Sequence, residues 1–299
     1  MQVRAIKVND SDQVVSVGSR AHQYWSENGY QQYFKSLRPG IKIPAGLNHN
    51  NIDSIVKQFK LKGISFGNWV TIEDRLNYLH ALFISFYDLN KVLRFSYNLG
   101  MNGNLTVTFG DRGIPGSLAH FNGGTILINI NRYERGPEEK LHRFLNSGGV
   151  HSFAHEYMHF LDMFAGAVLE QHRNYFYCSG GHSISRSRVG LNTPIRSKID
   201  DILHKIIWAK GGGLTPYYKK MVKQIEATDG LGDYWIRRTE LLARAFEAYI
   251  SFELKEMGIK NQFLTKTRYE SWFYLPPTHL KQIVPDFRQL IQLIRKRIQ

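Results

Sequence analysis

The chain has 299 residues, 42% hydrophobic and 13% aromatic, enough to bury a full core as one large domain or two modest ones. Its 39 lysines and arginines outnumber 25 aspartates and glutamates for a net charge of +14, so acidic partners are favoured and nonspecific contact with nucleic acid through a basic surface is expected. No apolar run approaches the roughly 18 residues of a membrane span, so no membrane partner is expected, and the single cysteine, Cys178, excludes an intrachain disulfide.

Met1 to Asp12 is mixed and polar, without the basic-then-apolar layout of a secretion signal, so an intracellular or virion-interior setting is expected. A helix is predicted near Ser19–Leu37, stopped by Arg38-Pro39-Gly40, and Pro44–Asn51 reads as loop. Asn51–Phe59 is a short amphipathic stretch. A strong helix follows from about Ile72 to Phe95, with Leu76, Leu79, Leu82, Phe83, Phe86 and Leu89 at helical spacing and Thr71 and Asp74 as start signals. Leu105–Phe109 and, more clearly, Thr125–Ile130 alternate as strands, with glycines marking turns between them. Pro137–Leu145 reads as a short helix, and residues 167–194 as a long polar insertion. Helices are predicted at Ile195–Lys210, Pro216–Ala227, Thr239–Leu254 and Asp286–Arg297, the first two split by Gly211-Gly212-Gly213. Strands, one polar-faced helix and a mostly helical second half make the expected class α+β.

The chemistry lies in His155-Glu156-Tyr157-Met158-His159. Residues four apart stack on one helical face, so both imidazoles can reach one ion. Glu156 lies about 100° around the helix from His155, too far to be a third ligand but well placed to hold a water. Phe153, Tyr157, Phe160, Leu161 and Phe164 form the opposite, apolar stripe, and Ser152, His155, His159 and Asp162 the polar one. That pattern points to a hydrolytic zinc site, although cobalt or manganese suit the same donors.

A catalytic zinc takes a third protein ligand and keeps a place for water. In the Thr239–Leu254 helix, Glu240, Arg244 and Glu247 share one face, while Leu242, Ala245, Phe246 and Tyr249 share the other. Spacing alone leaves Glu240, Glu247, Asp201 and His182 as suppliers, and Glu240 with Arg244 also reads as an ordinary ion pair at i and i+4.

His155 to Gly166 resembles the zinc helix of the anthrax lethal factor catalytic domain, and Glu240-Leu-Leu-Ala-Arg-Ala-Phe246 resembles the helix carrying that family's third ligand. A longer stretch, about Phe59–Ile294, is similar to the metallopeptidase-like domains of large polyvalent phage proteins. That likeness takes in Phe66-Gly-Asn-Trp69, Phe109-Gly-Asp-Arg-Gly113, Ala119-His-Phe121, Ile126–Ile130 and Tyr274-Leu-Pro-Pro277. The resemblance implies a zincin-like domain over 59–299, preceded by a helical or irregular segment, 1–58. It implies zinc on His155, His159 and Glu240, Glu156 as general base and Tyr234 as oxyanion donor.

The resulting expectation is a zinc endopeptidase acting on protein or peptide substrates, encoded by a phage or mobile element. Zinc acidifies water and polarises the scissile carbonyl, and Glu156 takes the proton and passes it to the leaving nitrogen. His182 and Arg244 are alternatives to Tyr234 as the oxyanion donor. Asp162 is expected to accept a proton from a ligand histidine, with a solvated position or a bond to the second helix as alternatives. Arg244 is expected to pair with Glu247 or Asp162. Ile128, Asn129 and Ile130 are candidates for an edge strand that holds extended peptide, the alternative being a buried strand. His120 and Arg112 lie near that strand in sequence. Cys178 reads as incidental despite nearby His172 and His182. A second class also fits the charge and the likeness: a structural or nucleic-acid-associated virion protein on a zincin fold, with little or no peptidase activity.

Overall fold

The computed structural model describes residues 51–68, 70–111, 117–131, 151–171, 176–190, 192–266, 269 and 271–299. The helices expected at Ser19–Leu37 and Pro137–Leu145, the loop before Asn51, most of the segment 1–58, and Trp69, Arg112 and His172 lie outside them. The chain is α+β, as its alternating periods indicate: seven α-helices and one four-stranded mixed sheet among the described residues. No helix among them is long and apolar enough to cross a membrane. They fall into two compact units, divided within one helix after Glu156 and within another after Phe252.

The first unit opens with α1 (Ile52–Phe59). Asn51 caps it by accepting the Ser54 N–H at 2.9 Å, and Ile52, Ile55 and Phe59 are its buried stripe. Strand β1 (Gly63–Phe66) leads into α2 (Ile72–Leu93), which starts where Thr71 Oγ1 accepts the Asp74 N–H at 3.2 Å. Strand β2 (Thr106–Phe109) then pairs parallel to β1, the arrangement that a helical crossover permits. Strands β3 (Ala119–Asn122) and β4 (Leu127–Ile130) form a hairpin whose turn is held by Asn122 Oδ1 on the Gly124 and Thr125 N–H groups. Sheet order is β1-β2-β4-β3, with β2 and β4 parallel.

That order corrects the peptide-edge expectation. β4 is bonded on both sides, so its backbone has no row of open donors and acceptors, and Ile128, Asn129 and Ile130 are fully buried. Asn129 is spent within the sheet: its Oδ1 accepts the Thr108 hydroxyl at 2.7 Å and its Nδ2 reaches Asn131 at 2.5 Å. The sheet's edges are β1 and β3. Aromatic packing joins the layers of this unit. Phe66 and Tyr78 stack on Phe109 at 5.3 and 4.6 Å, and Phe59 meets Phe83 and Phe86 at 5.5 and 5.1 Å.

The second unit is helical. It takes the later part of α3 (Phe153–Phe164), a π-helical turn over Ala165–Leu169, α4 (Pro194–Ile207), α5 (Pro216–Glu226), a 3-10 turn at Asp233–Ile236, most of α6 (Arg238–Glu256), and α7 (Pro277–Ile298). The start predicted for α7, Asp286, is nine residues late. Pro285 sits inside the helix on its exposed side, where the carbonyl it frees can meet water, while Leu280, Ile283, Val284, Phe287 and Leu290 are buried. Burial of that stripe outweighs the local cost of one missing bond. Phe287 stacks on Tyr249 of α6 at 5.0 Å, and Asp286 receives Lys205 of α4 at 2.6 Å.

Candidate metal centre

The helix α3 behaves as its spacing predicts on one face and not on the other. Phe153, Tyr157, Phe160, Leu161 and Phe164 are buried as a core stripe. The polar face is also largely withdrawn from water: Asp162 is fully buried, His159 is 9% exposed and Glu156 7%. Continuation as a π turn brings Gly166 against the backbone of residue 176. A β-carbon at Gly166 would stand 2.3 Å from the Phe176 carbonyl oxygen, so only glycine fits there.

The segment after that turn prepares the start of α6. A helix leaves its first N–H groups without internal acceptors. Here the Arg238 N–H donates to the Ser183 carbonyl at 2.8 Å and the Thr239 N–H to the Gly181 carbonyl at 3.1 Å. The Arg238 side chain, 3% exposed, binds the same loop by donating to the carbonyls of Ser179 at 2.5 Å and Ser187 at 2.9 Å, and it pairs with Asp200 of α4. The stretch read as a polar insertion is therefore the cap of the helix that carries Glu240.

His155, His159 and Glu240 are brought together: one ligand atom from each lies within 4.8 Å of the others. His159 Nε2 is 3.3 Å from Glu240 Oε1. Zinc bonds of about 2.0–2.2 Å in a tetrahedral arrangement separate ligand atoms by about 3.3–3.5 Å. The spacing and the donor set, two imidazoles and one carboxylate, fit a zinc ion. Glu156 follows His155 directly on α3.

Other expected residues have different tasks. Asp162 does not orient a ligand histidine. Its carboxylate accepts the Ser179 N–H at 2.8 Å and the Ser179 hydroxyl at 2.5 Å. Burial pushes the Asp162 carboxyl above its usual range, and the Ser179 bonds pull it part of the way back. Thr239 instead meets the ligand histidine, with Oγ1 2.9 Å from His159 Nδ1. Arg244 pairs with neither Glu247 nor Asp162 as expected. Its Nη1 is 3.7 Å from Glu240 Oε2, its Nη2 donates to the Trp235 carbonyl, and its guanidinium lies over the Trp235 ring. Glu247 accepts the Tyr274 hydroxyl at 2.9 Å and the Tyr269 hydroxyl at 3.3 Å. Tyr234 is 42% exposed, edge-on to Trp235 and under the guanidinium of Arg237. Asp201 is paired with Arg188 at 2.8 Å, His182 is exposed in the capping loop, and Cys178 is buried, with its thiol pushed well up by that burial.

Thr239 and Arg238 escaped the sequence reading. Their one sequence signal is adjacency to Glu240; their partners are distant in the chain, His159 lying 80 residues away.

A family model described as large polyvalent protein-associated domain 1 matches residues 228–298. The match takes in the 3-10 turn, α6 and α7, and with them Tyr234, Arg238, Thr239, Glu240, Arg244 and Glu247. It does not reach α3, so it bears on one half of the candidate centre. It relates this part of the chain to large polyvalent phage proteins. No curated protein and no solved structure matches the chain.

Proposed function

We propose that the protein is a zinc-dependent endopeptidase of a phage or mobile element, acting on protein or peptide substrates inside the host cell or the virion. The observation that carries this reading is the convergence of His155, His159 and Glu240 with Glu156 beside them. A zinc ion held there supplies Lewis acidity toward a water and a scissile carbonyl. Glu156 holds the attacking water, takes its proton on a carboxylate oxygen and passes that proton to the leaving nitrogen. Its low exposure keeps bulk water from competing for that carboxylate. Arg244 keeps a positive charge beside Glu240 Oε2, which favours the ionised ligand. Tyr234, on the exposed turn just before α6, is the oxyanion donor that the family likeness implies.

The test compares cleavage of a peptide library by zinc-loaded wild type and by Glu156→Gln, with zinc measured in both. The expected result is cleavage by wild type, a loss of about 10²–10⁴-fold in the variant, and equal zinc in both. Equal cleavage by both would refute Glu156 as the base. A zinc-loaded wild type that cleaves nothing would leave the non-enzymatic virion protein as the better reading.

A further inference from the structure

His159 meets a different group at each ring nitrogen, and the two groups are neighbours in sequence. Nδ1 lies 2.9 Å from Thr239 Oγ1 and Nε2 lies 3.3 Å from Glu240 Oε1. A neutral imidazole carries one N–H. While Nε2–H donates to Glu240, Nδ1 has a lone pair and the threonine hydroxyl must donate to it. When Nε2 turns its lone pair to a metal, the N–H is on Nδ1 and the threonine oxygen must accept.

A hydroxyl serves both arrangements by rotating one hydrogen, whereas a carboxylate can only accept and a methyl group can do neither. We infer that Thr239 is a positioning residue whose hydroxyl lets His159 exchange tautomers between a metal-free state closed on Glu240 and a metal-ligating state. The inference rests on the zinc reading above and adds the device that lets the centre load. The surroundings suit it. Thr239 is 2% exposed and His159 9%, so water cannot readily replace the hydroxyl. The Thr239 backbone is held by the Gly181 carbonyl and the neighbouring Arg238 clamp, so the rotor turns on a fixed base. Asp162, which the sequence marks for this task, is a poorer candidate on chemistry alone, because an ionised carboxylate would accept Nδ1–H and could not serve the other tautomer.

The test uses full-length protein with ¹⁵N-labelled histidine, metal-free and zinc-loaded, and zinc affinities from chelator competition for wild type, Thr239→Ser and Thr239→Val. The expected spectra show His159 protonated at Nε2 without metal and at Nδ1 with zinc. Thr239→Val, close to threonine in shape, should weaken zinc binding by about 10–100-fold, as loss of a ligand's outer partner generally does. Thr239→Ser should restore it. Thermal unfolding of the valine variant separates this loss from misfolding, and serine rescue does so again. Unchanged zinc affinity in Thr239→Val, or Nδ1–H already present in the metal-free protein, would overturn the inference and leave the zinc centre standing. A wild type that binds no zinc would overturn the zinc reading as well.

Discussion

Two buried glutamates stand two turns apart on α6 and do opposite things. Glu240 is 5% exposed and Glu247 1%. Glu247 is surrounded by donors: two tyrosine hydroxyls and the Lys266 N–H at 3.4 Å. Burial and that carboxylate push the Tyr274 hydroxyl far above its usual range, so Tyr274 stays a donor at any accessible pH. Glu240 faces an imidazole nitrogen on one oxygen and a guanidinium on the other. A carboxylate ringed by O–H and N–H donors is a structural acceptor. One that shares a gap with imidazole lone pairs is fit to ligate a cation. Burial and helix face do not separate the two; their partners do.

The contrast can be broken at several points. Replacement of Glu240 by alanine should reduce zinc from about one ion per chain to near none after dialysis, by elemental analysis, because two histidines alone make an incomplete site. Arg238→Met should cost about 3–5 kcal/mol in urea unfolding, because it leaves Asp200 buried without its cation, and should weaken zinc binding by loosening the start of α6. Glu247→Gln should cost about 1–3 kcal/mol and leave zinc stoichiometry unchanged; loss of zinc in this variant would erase the distinction between the two glutamates.

The smallest effect is expected far from α6. Burial holds His120 below its model value of 6.5, so the unfolded chain binds the extra proton first. The stability this contributes is present above about pH 6.5 and is lost as pH falls below that. His120→Gln should make the decline of the unfolding midpoint with acidification shallower.

The legible parts of the molecule are those governed by local rules. His155, Glu156 and His159 follow from helical spacing, and Thr71 announces α2 because its cap is three residues from its partner. Glu240 could not be chosen over Glu247, Asp201 or His182 by spacing, since all lie near polar helix faces or loops; resemblance selected it. Asp162 shows the limit of face arithmetic. It lies on the histidine side of α3, yet its acceptor capacity is taken by Ser179, whose approach depends on the turn after Gly166. The place of β4 depended on β3, where Ala119-His-Phe-Asn122 has no β-branched residue to announce a strand, and a strand's neighbours decide whether it is an edge. Pro285 misled in the other direction, because a single breaker reads strongly in sequence while a seven-residue buried stripe reads only in the fold.

The most direct measurement is X-ray absorption at the zinc edge on the wild-type protein, with Glu240→Ala beside it. The account predicts one zinc per chain with nitrogen and oxygen neighbours at about 2.0–2.2 Å, including two imidazoles, and their disappearance in the variant. Zinc absent from the wild type, or bound with an unchanged spectrum once Glu240 is removed, would contradict it.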